Sequence, residues 1–252
     1  MSALKLRLAN PPIVEAVVDI DCDMPPTLNL ASLEAPARDC FRDHYPKFQA
    51  RYVQETKIET KPDQPPQMSV RKGLEALQLL HEDGKQLVQV RAQGFSFNRL
   101  APYTSLDEYL PEIERTWRLF VGLASPIQIR AVRLRYINRI VLPTEAGRVE
   151  LNDYLKIGPR LPDEETLTLA SFLSQHAVVE AVTGNQANIV LSSQALEKGN
   201  LPIIFDNCVA GAGPTAPEDW PCILEKLLSL RNLKNRIFEN TLTEKCLKLF
   251  QD

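Results

Sequence analysis

The stretch from Pro126 to Pro143, PIQIRAVRLRYINRIVLP, constrains the chain more than any other. Read with period two, Val132, Leu134, Tyr136, Asn138, Ile140 and Leu142 fall on one side, and Arg133, Arg135 and Arg139 fall on the other. That alternation defines a long strand with one mainly apolar face and one face of guanidiniums. A fold has to bury the first face and find partners for the second. An earlier stretch mirrors it with opposite charge. Val14, Ala16, Val18, Ile20 and Cys22 alternate with Glu15, Asp19, Asp21 and Asp23.

Around these two strands the pattern is of hairpins and helices. A helix is expected over 30–44, with Pro36 forcing an interruption or a late start. A strand is expected over 48–60, then a turn-rich connection over 61–67. A hairpin follows, with arms 74–80 and 86–97 around the turn His81-Glu82-Asp83-Gly84. Ser105-Leu-Asp-Glu108 is a capping box that opens a helix, with Pro111 near its start and Gly122 and Pro126 near its end. A short helical stretch is expected over 151–155. Strands are expected over 167–182, 186–196 and 201–209, then a long amphipathic helix from about Glu218. Thr241-Leu-Thr-Glu244 opens a terminal helix. No βαβ repetition is present, so the fold class is α+β: antiparallel sheet or sheets with long helices packed on one face. Helix starts rich in acid, aromatic and proline, at Asp107–Pro111 and Glu218–Pro221, suggest two similar sheet-and-helix halves in tandem, 1–145 and 146–252.

Composition narrows the function classes. A formal net charge of −3 provides no whole-molecule field for nucleic acid or an anionic membrane. No apolar run reaches the length of a membrane span, and the N-terminus has no uninterrupted apolar signal region. Five scattered cysteines without C-x-x-C spacing read as reduced thiols in a cytoplasmic protein. His44, His81 and His176 are far apart, and neither metal-ligand spacing nor a nucleophile signature occurs. Gly211-Ala-Gly213 resembles a phosphate loop only superficially, because Pro214 and Pro217 remove amide donors. No cofactor, metal or catalytic residue is assigned.

Two groups remain as candidate sites. Arg133, Arg135 and Arg139, with Asn98, Arg99 and Tyr103 from the segment Gly94–Tyr103, could bind a small anionic ligand. The alternative is structural: Glu15, Asp19 and Asp21 have matching spacing and would pair with the arginines across neighbouring strands. Two function classes follow. One is a non-enzymatic binding or interaction module with a protein partner or a homo-oligomeric state. The other is an enzyme or binding protein for a small anion.

Four segments stand in order: Asn10-Pro-Pro-Ile-Val-Glu-Ala, Phe95-Ser-Phe-Asn-Arg-Leu-Ala-Pro-Tyr103, Arg133-Leu-Arg-Tyr-Ile-Asn-Arg-Ile140 and Asn235-Arg-Ile-Phe-Glu239. Together they resemble a sporadically distributed prokaryotic family of conserved proteins with no established activity. The resemblance implies a small stand-alone cytoplasmic protein. Its patchy distribution suits an accessory to a mobile defence or toxin–antitoxin locus.

Overall fold

The computed structural model describes residues 8–59, 67–144, 148–161, 167 and 169–251. The strands are β1 (Ile13–Asp23), β2 (Lys47–Glu59), β3 (Gln67–Leu80), β4 (Gln86–Arg91), β5 (Gly94–Leu100), β6 (Gln128–Pro143), β7 (Leu173–Val179), β8 (Gln186–Ser193) and β9 (Asn200–Thr215). The helices are α1 (Glu34–Phe41), α2 (Leu106–Ala124), α3 (Trp220–Thr241) and α4 (Glu244–Lys248). All nine strands join one antiparallel sheet in the order β2-β3-β4-β5-β1-β6-β9-β8-β7. The class is α+β, as the hairpins and the absence of βαβ repetition imply. β1 and β6, the two oppositely charged strands, lie side by side at its centre. One feature of the topology occurs twice. β5 returns beside β1 and leads into α2, and β9 returns beside β6 and leads into α3. The sheet runs unbroken from one run to the other.

Local sequence explains most element ends, and several expectations need correction. A 3-10 turn over Leu30–Leu33, capped by Asn29, precedes α1, so Pro36 sits in the first turn where its missing amide costs nothing. The expected arm 86–97 is two strands. A turn at Ala92 and Gln93 leads into Gly94, whose φ of +142° suits no other residue. A Cβ there would lie 2.1 Å from the Ile20 carbonyl oxygen, so the close approach also demands glycine. Ser105 caps α2 through the Glu108 amide, and the helix runs on through Pro111 and past Gly122. It ends at Ser125, which adopts the left-handed conformation with φ 45°. Gly211 and Gly213 lie inside β9 and not in a loop. Thr243, not Thr241, caps α4. The connection 61–67 falls almost wholly outside the described residues.

The buried face carries the core. Val18, Ile20, Val132 and Leu134 pack in one cluster with Trp117 and Phe120 of α2 and Leu227 and Leu230 of α3. A second cluster gathers Ile140 and Leu142 of β6, Phe205 of β9, and Phe238 and Leu242 at the end of α3. All five cysteines are free thiols. Burial pushes the thiols of Cys22 and Cys246 up to about 12, which leaves them inert. No helix of the described residues is long and apolar enough to cross a membrane.

Candidate functional site

The register of β1 and β6 decides where the charges go. Cross-strand partners share a face, and Asp19 stands opposite Arg133 while Val17 stands opposite Arg135. Arg133 pairs with Asp21, which also accepts from Arg91 at 3.1 Å. Arg91 lies 3.4 Å from Asp19, and the Ser96 hydroxyl donates to Asp19 at 2.5 Å. Arg135 reaches β9, where its Nη2 and Nε meet Asp206 at 2.5 and 2.9 Å. Arg139 pairs with Glu197. Asn98 donates to Glu15 at 2.7 Å and accepts from Gln89 at 3.0 Å. The Asp206 hydrogen bond raises Arg135 further above its ordinary range. For Arg133, burial opposes the charge and Asp21 outweighs it. The candidate residues of this face therefore already hold hydrogen-bonding partners within the chain.

Arg99 and Tyr103 are elsewhere. Gln86, Arg99, Ala16, Tyr136 and Asn207 stand opposite one another in turn, in one row across β4, β5, β1, β6 and β9. This polar row crosses the buried face. On β6 it separates Leu134 of the first apolar cluster from Ile140 of the second, and on β9 it separates Val209 from Phe205. Tyr136 shares a hydrogen bond of 2.8 Å with Tyr103, hydroxyl to hydroxyl. Burial pushes Tyr136 up to about 12, against the lowering effect of that bond. Lys234 of α3 places its Nζ 4.0 Å from the centre of the Tyr136 ring and has no ion pair among the described residues. Desolvation, helped by Arg231 and opposed by Glu239, lowers Lys234 to about 8. The Asn207 Nδ2 donates to the Lys234 carbonyl at 3.1 Å, while its buried Oδ1 has no partner.

Arg99 stands near the other end of the row, next to Gln86. Its Nη1 lies 2.6 Å from Asp83 Oδ2, and its guanidinium covers the Tyr109 ring at 5.4 Å. Burial works against the Asp83 carboxylate, but the Lys85 amide and Arg99 outweigh it and hold its pKa well below the usual range. Between Arg99 and Tyr136 the small side chain of Ala16 leaves a pocket, walled by Tyr103 and Tyr109. Its free volume is about 10 Å³, roughly the room of one water.

The larger cavity lies between α2 and the start of α3. It has about 260 Å³, with Trp117, Val121 and Gly122 on one side and Pro217 and Trp220 on the other. Arg118 and Glu218 stand at its rim. The Trp117 Nε1 donates to the Pro217 carbonyl at 2.9 Å, which ties the two walls together and satisfies the indole. Gly122 leaves the floor open, because a Cβ there meets nothing within 4 Å. Sequence reading missed this groove. Its residues fall on two segments about a hundred positions apart, and Trp117 and Val121 read equally well as ordinary core positions. The same holds for Lys234, one of four basic residues in α3. No group of three or more metal-ligating side chains is present among the described residues.

No family model matches the chain, and no curated protein does. Among solved structures, it is similar to the crystal structure of DynU16, a protein from the dynemicin biosynthetic locus. That match covers 95% of this chain and 97% of the other at 11% identity, with a TM-score of 0.21.

Proposed function

We propose that the protein is a non-enzymatic interaction module that receives an apolar side chain of a partner protein between α2 and α3. The observation that carries this reading is the groove itself, about 260 Å³ walled by two tryptophans and a proline. A cavity of that size suits one or two anchor side chains of a protein partner, and buried aromatic pockets are where binding energy concentrates. Glu218 stands at its rim, while Arg118 is already paired with Glu114 at 2.6 Å, so the rim favours an anchor flanked by basic charge. The internal pairing of Arg133, Arg135 and Arg139 favours this reading over capture of a small anion on those residues. The free cysteines agree with the cytoplasmic setting that the family resemblance implies. An accessory role at a mobile defence locus rests on the resemblance.

The test is selection of displayed random peptides on the intact protein, followed by Gly122→Leu. This substitution fills the groove without a backbone clash and replaces a helical glycine, so the helix should gain about 0.5–1 kcal/mol. Selected peptides should carry a common aromatic or aliphatic anchor and should lose binding to Gly122→Leu while its melting temperature holds or rises. Peptides that bind Gly122→Leu unchanged, or that lose binding only when Arg135 is replaced, would sink the reading.

A further inference from the structure

The two edges of the sheet differ in a way the groove does not explain. β2, at one end of the order, carries Lys47, Arg51, Glu55, Lys57 and Glu59, and closely spaced charge is the usual protection of an edge strand. β7, at the other end, reads Leu-Ser-Gln-His-Ala-Val-Val and has no Lys, Arg, Asp, Glu or Pro. Six of its seven residues are exposed, with Leu173 at 72% and Val179 at 66%. It has no bulge in its pairing with β8. Among the described residues, β7 has none of the charge, proline or bulge that keep an edge from pairing.

The backbone adds a second, independent observation. Ser193 donates to the Phe172 carbonyl, and Glu180 donates to the Asn185 carbonyl, one at each end of the β7–β8 ladder. Antiparallel bonding alternates along a strand, so the even-numbered residues of β7 bond to β8. The N–H and C=O groups of Leu173, Gln175, Ala177 and Val179 point away from the sheet and bond to nothing among the described residues.

We infer that β7 pairs with β7 of a second copy of this chain, antiparallel, about a twofold axis through His176. In that register Leu173 faces Val179 of the second copy, Gln175 faces Ala177, Ser174 faces Val178, and His176 faces itself. Every outward-pointing residue meets an outward-pointing residue, so all four exchange both backbone bonds. A twofold axis one residue to either side leaves Leu173 or Val179 without a partner. The pairing sets apolar against apolar at both ends and brings no fixed like charges together. It is isologous and so closes at two copies, whereas joining β7 to the charged β2 edge of another copy would propagate without end.

The test is the mass of the intact protein by light scattering over a dilution series, with three variants. The wild type should be a dimer that dissociates on dilution. Gln175→Pro removes an outward N–H that β8 does not use, so the strand should still fold but should not self-pair. Val179→Lys, at an exposed position, should place a charge in the seam and weaken self-association by about tenfold or more while leaving the fold intact. In His176→Cys, mild oxidation should give a disulfide-linked dimer absent from the wild type. Facing residues at a non-hydrogen-bonded antiparallel pair lie about 4.5 Å apart at Cα, within disulfide reach. A monomeric wild type at every concentration would overturn the inference. So would a dimer that persists in Val179→Lys and forms no disulfide in His176→Cys.

Discussion

The two faces of the central strand pair solve opposite problems. On the buried face, β1 and β6 present apolar side chains whose value is the area they remove from water. On the charged face they present acids and arginines that have to be neutralised one by one. The same register serves both. Setting Val18 opposite Leu134 also sets Asp19 opposite Arg133. A shift of one residue would invert every side chain and bury the arginines. The charges therefore contribute to register as well as to stability, and only the more exposed pairs, such as Arg139 with Glu197, are individually weak. The comparison also reverses a first impression. The arginine-rich face looks like a site and is paired internally, while the apolar face contains the buried polar row and the groove beside it.

Substitutions on each side of the sheet can separate the two faces. The largest effect belongs to the buried side. Phe95 is fully buried against Trp117 and Phe120, with ring centres 5.7 and 5.6 Å away. Phe95→Ala should cost about 3–5 kcal/mol in chemical denaturation. A loss below about 1 kcal/mol would mean that this face is not the core.

A smaller effect, with a pH signature, comes from the polar row. Lys234 is lowered in the fold from 10.5 to about 8, mainly by desolvation and then by Arg231, with Glu239 opposing. Between those values the unfolded chain holds a proton that the folded chain has released. Stability should therefore rise with pH from about 8 towards 10.5, as far as this group is concerned. Lys234→Met keeps the stem over Tyr136 and removes the charge. Its stability should exceed the wild type's at neutral pH, and the gap should close as pH rises through that window. A gap that is constant with pH would show that the lysine is not strained in its charged form.

Much of this architecture was legible in the sequence. The alternation of β1 and β6 located both strands and both faces, because a period of two has one structural meaning. The capping box at Ser105 and the acid, aromatic and proline run Glu218–Pro221 marked the starts of α2 and α3. What failed was local detail set by tertiary contact. The turn before Gly94 depends on the approach of the Ile20 carbonyl from another strand, and β9 runs through Gly211 and Gly213 because β6 pairs with it beyond them. The candidate residues were legible as chemistry and not as partners. Asp206 and Glu197, which hold Arg135 and Arg139, lie some sixty or seventy positions further along the chain. The row from Gln86 to Asn207 was invisible because its members come from five strands, four of which contribute one polar residue each to an apolar pattern while β1 contributes the small Ala16.

The smallest expected change is also the most direct test of the contrast between the faces. Arg135 is half-exposed but its partner Asp206 is mostly buried, so Arg135→Ala should cost about 1–3 kcal/mol, the penalty of leaving that carboxylate unpaired. The decisive measurement is a calorimetric titration of the wild type and Arg135→Ala with inorganic phosphate. If the arginines are held by their own acids, both proteins should give the same featureless, non-saturating heats. Saturable binding by the wild type that disappears in Arg135→Ala would contradict the account and return the charged face to the position of binding site.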